Sequence, residues 1–575
     1  MALAEKDKKL SAEFDVKMRR STGSMHKNTA VSKKIARILL TISFVYSGGM
    51  FVVDNAVEAA PALPGSDHTR QALEENRVER KEQAGLKNTA VTVKVQGEAK
   101  FMLRRINFTG QDVIDKAVFK ELTSQYLNQE VTLSDMQAAA DIITAYCRRQ
   151  GYAVATAFIP PQSSIEGIVE LRVLLGRLGQ IRLDNYSQLA DSQARAFIAP
   201  LVSGEYLLTE QAEMVLNNLN DLPGISAAGV LRAGQAIGET DLTITLADEK
   251  AVETALYTDN YGGQYSGRYR YGFQTTLNNI SRNGDKTWLG GMLTNEAMHN
   301  YNFGYETAIG SRGSRLGIGY SQMDYTLGDY FNLLDAVGKA NTFSIYGSTP
   351  LKNSGSDYVA VTYGYANRQL KDELRLFGIS TKKHSNLVNT GIRGQSRGQG
   401  SYTDYSTLYY WGRLTGDDAV SAVEGSFHKF TADVNHLRRL GNVVDLQLNF
   451  HGQMSSNVLD SSEQFYLGGA NGVRAYPQGE AGGDSGYQAT AELRYKTPIP
   501  DLSVGSFIDF GTVHQKGGYA EEHRSLAGWG VGLRYVRTGD FALRLDYARK
   551  LDGERYQSEA QDKNGRLWFQ AVKIF

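Results

Sequence analysis

A chain of 575 residues exceeds the roughly 50–250 residues of an ordinary domain, so several units in series are expected. Its 62 Lys plus Arg balance 62 Asp plus Glu, which removes the basic footprint that phosphate-backbone binding leaves and sets nucleic acid aside as a partner. The one cysteine, Cys147, excludes an internal disulfide framework and any multi-cysteine metal cluster, and the nine histidines form no HExxH pair, so no metal, cofactor or catalytic residue is assigned.

Composition shifts along the chain. The 326 residues from Lys250 onward hold 26 of the 32 Tyr and 44 of the 60 Gly but only 4 of the 10 Pro. Tyr-rich, Gly-rich and Pro-poor sequence suits a many-stranded β-structure, and Tyr, apolar in its ring and polar at its tip, suits a boundary between water and an apolar phase.

Lys33, Lys34 and Arg37 precede the apolar run Ile38 to Val53 and the small-residue stretch Val57-Glu58-Ala59-Ala60-Pro61. That order reads as a secretory signal peptide cut after Ala59, with residues 1–59 forming the signal and an N-terminal extension, and translation starting at Met25. The alternative, a membrane anchor, needs roughly 20 apolar residues, and this run is shorter. In residues 60–98, the stretch Ser66 to Lys87 carries charges of both signs and no apolar stripe. It is either a solvated spacer or a polar helix that only a wet channel could enclose as a plug.

Two α/β units follow, over residues 99–178 and 179–249. In the first, the strand Phe101 to Phe108 leads to a helix over Ile114 to Tyr126. A second helix is opened by Ser134 with Gln137 three residues on, and carries Met136, Ala140, Ile143 and Cys147 on one stripe. Strands Ala153 to Ile159 and Gly167 to Leu174 complete it. The second unit repeats the order: strand Gln180 to Leu183, helices near Ser192 to Ile198 and Glu210 to Leu222, strands Ile225 to Leu231 and Asp241 to Leu246.

Beyond Lys250 the hydrophobic period becomes two. Val444, Leu446, Leu448 and Phe450 alternate with polar residues, as do Phe541, Leu543, Leu545 and Tyr547, then Trp529, Val531, Leu533 and Tyr535, and also Val359, Val361, Tyr363 and Tyr365. A soluble sandwich would hide such faces in its core, whereas a transmembrane barrel turns them to lipid and its polar faces to a lumen. With the signal peptide, the Tyr content and the terminal strand Leu567 to Phe575, residues 250–575 are expected to form an outer-membrane antiparallel β-barrel of about 16 strands.

The segment Ala145-Tyr146-Cys147-Arg148-Arg149-Gln150-Gly151-Tyr152, continued by Ala157 to Gln162, Gly167 and Leu175-Gly176-Arg177-Leu178, resembles the first POTRA domain of the two-partner secretion transporters. These are the TpsB or haemolysin secretion/activation proteins of the ShlB and FhaC type, a superfamily shared with BamA. Phe465-Tyr466-Leu467-Gly468-Gly469 followed by Val473-Arg474-Ala475-Tyr476 resembles the signature of their sixth extracellular loop, here near residues 455–485. Ala475 stands where that signature usually has glycine. Phe507-Ile508-Asp509-Phe510-Gly511 resembles the barrel-strand motif that receives the loop. The resemblance implies two periplasmic POTRA domains that bind an unfolded TpsA-like exoprotein, a barrel in outer-membrane lipid that exports it, and no enzymatic activity.

The residues supply a physical reason for the pair. If Ile508 and Phe510 face lipid, then Asp509, Phe507 and Gly511 face the lumen, where the five-donor fork of Arg474 offers Asp509 a bridge stronger than one at the surface. Gly483-Asp484-Ser485-Gly486 spells a serine-protease tetrapeptide without a supporting triad. Two rivals to export stand beside it: a BamA-like assembly factor, and a passive porin, which would have no use for the α/β units.

Overall fold

The computed structural model describes residues 100–162, 166–416, 423–517 and 522–575; residues 1–59, read as a signal peptide with an extension, and the polar stretch of residues 60–98 lie outside them. The first unit contains β1 (Phe101–Leu103), β2 (Arg105–Thr109), α1 (Lys116–Leu122), β3 (Gln129–Val131), α2 (Leu133–Arg149), β4 (Thr156–Phe158) and β5 (Ile168–Leu174). Its sheet has the order β2-β5-β4, with β2 and β5 parallel and β4 antiparallel to β5. The expected strand over Phe101 to Phe108 is broken at Arg104, whose N–H donates to Gly167 O at 2.8 Å, and this frees β1 to pair with β3.

The expected cap at Ser134 is also corrected. Thr132 caps α2: its hydroxyl accepts from Asp135 N at 3.1 Å, and the Asp135 carboxylate accepts from Thr132 N at 2.8 Å. That reciprocal pair satisfies two helix-end groups, which Ser134, already inside the first turn, does not. Cys147 lies fully buried in the core beside Met136, Ala140 and Ile143, and burial pushes its thiol pKa up to about 11, so it is a packing residue.

The second unit repeats the plan with β6 (Arg177–Asn185), α3 (Asp191–Ile198), α4 (Thr209–Asn220), β7 (Ile225–Ala233) and β8 (Glu239–Asp248), in the order β6-β8-β7. Ala153 N donates to Leu207 O at 3.0 Å and Thr209 N to Gly151 O at 2.8 Å, joining the two units.

Sixteen strands close a barrel. It opens with β9 (Val252–Asp259), β10 (Arg270–Asn278), β11 (Lys286–Thr294), β12 (Met298–Ile309) and β13 (Ser314–Thr326). A taller wall follows, made of β14 (Ala336–Ser354), β15 (Asp357–Leu374), β16 (Ile379–Gly398) and β17 (Ser401–Gly416). Next come β18 (Gly425–Arg439) and β19 (Val444–Ser455), then a long loop holding the hairpin strands β20 (Phe465–Tyr466) and β21 (Gly482–Gly483). The barrel ends with β22 (Ser485–Lys496), β23 (Leu502–Gln515), β24 (Glu522–Arg537), β25 (Phe541–Lys550) and β26 (Gly565–Ile574), and β26 pairs antiparallel with β9.

Period two now has a direction. Tyr363, Tyr365, Phe450, Ile508, Phe510, Trp529, Val531 and Tyr547 are exposed on the outside, while Glu492, Asp509, Arg544 and Asp546 are buried inside. An apolar exterior around a polar lumen is the transmembrane arrangement, and each strand's backbone groups are met by its neighbours, leaving no edge for lipid to desolvate. No helix among the described residues is long and apolar enough to cross a membrane.

The second unit sits against one rim of the barrel. Asn353 Nδ2 donates to Asn218 Oδ1 at 2.8 Å and Asp221 Oδ2 at 2.7 Å, Gly355 N donates to Glu213 at 2.6 Å, and Ala190 N donates to Arg282 O at 2.9 Å. This rim carries the short turns. The long loop between β19 and β22 belongs to the opposite, extracellular rim.

Candidate functional site: a loop gripped inside the barrel

The loop turns inward because its own backbone is tied back on itself. After the β20–β21 hairpin, Val473 N donates to Leu467 O at 2.8 Å, Gly468 N to Glu480 O at 2.9 Å and Tyr476 N to Val473 O at 3.0 Å. Gly469 has φ +136°, a conformation that a side chain rarely adopts, and a Cβ on Gly472 would lie 2.0 Å from Leu467 O. Ala475 is absent from the residues with positive φ, so the turn accommodates its methyl group where glycine is usual.

The tip delivers Arg474 to the inner wall. Its backbone N and Nε each donate to Asp509 Oδ2 at 3.0 Å, and Nη2 donates to Asp509 Oδ1 at 2.9 Å. Nη1 reaches two more carboxylates, Glu492 Oε2 at 3.0 Å and Asp546 Oδ2 at 3.3 Å. The guanidinium lies over the Phe507 ring, 3.1 Å from its centroid, and Trp568 Nε1 on β26 donates to Arg474 O at 2.7 Å. Val473, Arg474, Ala475, Tyr476, Phe507 and Asp509 are all buried, and Gly511 on β23 receives the Leu467 side chain, where a Cβ would lie 2.6 Å from a Leu467 methyl.

Around Arg474 three carboxylates face three further arginines. Arg494 Nε meets Glu492 at 2.9 Å, Arg534 Nη1 meets Asp546 at 2.5 Å and Arg544 Nε meets Asp546 at 2.7 Å. Arg544 also holds the loop directly, through Nη2 to Ala470 O at 2.9 Å and Nη1 to Asn471 Oδ1 at 3.1 Å. With the three acids shared among four cations, no buried charge stands alone, which is the condition for a low-dielectric network to hold rather than unfold its site.

Glycines on β24 make room for this packing. A Cβ on Gly528 would lie 2.7 Å from Ala475 Cβ, and one on Gly530 would lie 2.3 Å from Phe507 Cζ. These residues read in the sequence as members of an alternating strand, and their alternation puts the bare faces inward, toward the loop.

The loop is also pinned elsewhere. Glu480 accepts from Gln557 N at 2.8 Å and Ser558 N at 3.0 Å and pairs with Arg524 at 2.7 Å, while Tyr476 OH donates to Asp552 and Tyr556 OH donates to Ala475 O at 2.9 Å. Glu463, near the start of the loop, pairs with Arg368 at 2.7 Å and Lys429 at 3.2 Å on the far wall. The protease-like tetrapeptide is a structural anchor: Asp484 accepts from Leu459 N at 2.8 Å and Lys516 N at 2.7 Å, and Ser485 Oγ accepts from Ser455 N at 3.0 Å.

Sequence reading singled out Arg474 and Asp509 but missed Glu492, Arg544, Asp546, Trp568 and Glu480. Asp546 could have been found, since it stands between Leu545 and Tyr547 at an inward position of an alternating strand. Trp568 and Glu480 carry no such local signal.

Across the lumen from this network, the wall carries a few cations, among them Arg368 and Lys429, which Glu463 of the loop engages, and between them a set of uncharged polar groups. Asn302, Thr362, Ser385, Asn389 and Thr431 lie at inward positions, and each has a buried side-chain atom with no hydrogen-bond partner.

Comparison with known proteins agrees with this architecture. Residues 238–535 match the model of the haemolysin secretion/activation protein ShlB/FhaC/HecB, and residues 101–176 match the ShlB-type POTRA domain. The heme/hemopexin transporter protein HuxB of Haemophilus influenzae (strain 86-028NP) is 28% identical over 560 residues, covering 91% of this chain and 97% of HuxB. The outer membrane transporter CdiB of Dickeya dadantii is 23% identical over 454 residues, covering 75% of this chain and 80% of CdiB. Among solved structures, CdiB from Escherichia coli superposes with TM-score 0.69 at 20% identity, covering 88% of this chain and 97% of CdiB. BamA from Haemophilus ducreyi lacking POTRA domains 1–3 reaches 0.52 at 15%, covering 83% of this chain and all of that one, a likeness of fold alone. With the matched region spanning more than half of the chain, from the second unit through β24, this protein belongs to the ShlB/FhaC/HecB family of haemolysin secretion/activation proteins.

Proposed function

We propose that this outer-membrane transporter exports a large partner exoprotein in extended form along the lumen wall that carries Asn302, Thr362, Ser385, Asn389 and Thr431, while the Arg474 loop stays fixed as part of the opposite wall. The observation that carries this reading is the asymmetry of the lumen. One side is locked by the buried network around Arg474, and the other presents the spare hydrogen-bonding groups of Asn302, Thr362, Ser385, Asn389 and Thr431. A sliding extended chain needs interchangeable partners for its peptide groups, which hydroxyl and amide side chains supply.

Capture of the exoprotein begins, on this reading, at the outer edge of the second unit's sheet. Asn220 donates to Ala227 O at 2.9 Å and accepts from Ala227 N at 2.8 Å, so the backbone of Ala227 points away from β8. By alternation, Gly229, Leu231 and Ala233 turn their backbone groups to the same open edge, where a client strand could add. Leu231→Pro removes one of these donors without touching the ladder to β8. The test is secretion of a partner exoprotein, sought first in the gene next to this one: binding of its N-terminal region to the full-length transporter is expected to weaken at least tenfold in Leu231→Pro, with barrel insertion unchanged. Unaltered binding and secretion would refute capture at β7. Failure of the native chain to secrete the candidate partner would refute export of that partner.

The BamA-like alternative rests on fold similarity alone. A passive porin gives no account of a lumen crossed by an anchored loop, nor of a second α/β unit bonded to the barrel rim.

A further inference from the structure

The tall wall of the barrel has a feature that export does not use. β14 to β17 run for 19, 18, 20 and 16 residues, whereas about 9–11 suffice to span a membrane. Their outward faces carry the exposed Phe343 and Ile345, Tyr363 and Tyr365, and Val388 and Ile392. On those same faces, further toward the extracellular rim, stand Lys339, Lys371 and Lys382. The ladder places them side by side, because Lys339 is directly opposite Lys371 and Lys371 is directly opposite Lys382.

Like charges at directly facing positions of adjacent strands repel and weaken a sheet. Nearby acids offset only part of this. Asp324 lies 3.8 Å from Lys339, Glu373 pairs with Lys371 and lies 3.3 Å from Arg375, and Asp335 lies 3.9 Å from Arg375. Among the described residues, four cations thus meet three carboxylates and Lys382 makes no ion pair. His384 stands next to Lys382 on the same outward face.

Height identifies what could complete the set. Lys339 is four residues beyond Phe343 and Lys382 six beyond Val388, roughly 13 and 20 Å along the strands. Strand tilt reduces this to about 10–15 Å above Phe343 and Val388, the level of head groups rather than acyl chains. The outer leaflet of this membrane is built from a glycolipid whose inner sugars carry phosphates.

We propose that the outward face of β14–β16 is a binding site for the phosphorylated inner sugars of lipopolysaccharide, with Lys339, Lys371 and Lys382 as its anion-binding row. The phosphates relieve the repulsion within the row and fix the tall wall in the leaflet.

The test uses the full-length protein purified in detergent, with unfolding followed by heat modifiability on gels. Lipopolysaccharide is expected to raise the melting temperature of the native chain. The variant Lys339→Gln/Lys371→Gln/Lys382→Gln is expected to lose at least half of that rise, each rise being measured from the midpoint of the same variant in detergent alone. Enzymatically dephosphorylated lipopolysaccharide should give less than half of the native rise. Should the triple variant not fold, Lys382→Gln alone carries the test and must still lose part of the rise. Arg537→Gln, an exposed cation at the opposite rim, should keep all of it. An equal rise in native and lysine variants overturns the proposal, as does an equal rise with inorganic phosphate at matched concentration, or loss of the rise in Arg537→Gln.

Discussion

Replacing Arg474 with alanine is expected to reduce secretion of the partner at least tenfold while the barrel remains inserted and heat-modifiable. Asp509 would lose both of its side-chain bonds to Arg474, and Glu492 and Asp546 would each lose one cation. Breaking one member of a buried pair costs about 3–5 kcal/mol, because the remaining charge is left desolvated. The strand ladder does not pass through the loop, so the cost falls on the loop's position. Asp509→Ala is expected to behave in the same way. A charge exchange, Arg474→Asp with Asp509→Arg, should not rescue: the new carboxylate at 474 would face Glu492 and Asp546, which bond to Arg474 at 3.0 and 3.3 Å. Secretion assays with quantified outer-membrane levels check all three, and near-native export by Arg474→Ala would remove the network from the transport mechanism.

The second large effect is expected at Gly530, where no charge is involved. A Cβ there would lie 2.3 Å from Phe507 Cζ and 2.3 Å from the Tyr547 backbone oxygen. Even alanine must therefore displace the ring on which the Arg474 guanidinium rests or strain the pairing of β24 with β25. Overpacking of this kind typically costs about 1–3 kcal/mol. Gly530→Ala should lower the midpoint of heat modifiability and reduce export several-fold. Gly553→Ala, where a Cβ meets nothing within 4 Å, should do neither. Equal midpoints for the two variants would show that the Phe507 shelf is dispensable.

The barrel was legible in the sequence because period two is a local property: Ile508 and Phe510 announce a lipid face, and that places Asp509 inside. Arg474 and Asp509 were legible as a pair because each sits in a recognisable motif. What joins them to Glu492, Asp546 and Trp568 is the register of β22 with β23, of β24 with β25 and of β25 with β26, and register is set by many backbone pairings rather than by any one side chain. The lysine row is hidden for the same reason, since Lys339, Lys371 and Lys382 stand on three strands and align only through the register of the ladder. The cap of α2 was misplaced because Thr132 and Ser134 are both good capping residues, and only the reciprocal bond of Asp135 decides between them. Ala475 departs from the usual glycine without consequence for the turn, because the room it needs comes from Gly528 on a different strand.

The central claim, that the loop remains docked on the β22–β26 wall while the partner passes, can be tested without disturbing Arg474 or Asp509. Ala475 Cβ lies 2.7 Å from the position of a Cβ on Gly528, so cysteines at these sites need a shift of only about 1 Å to reach the ~3.8 Å spacing of a disulfide. In a Cys147→Ala background, Ala475→Cys/Gly528→Cys is expected to form this disulfide in the outer membrane of intact cells. Oxidised transporter should then export its partner within about twofold of the same variant kept reduced. Failure of the disulfide to form, or export that appears only after reduction, would contradict a loop that stays in place.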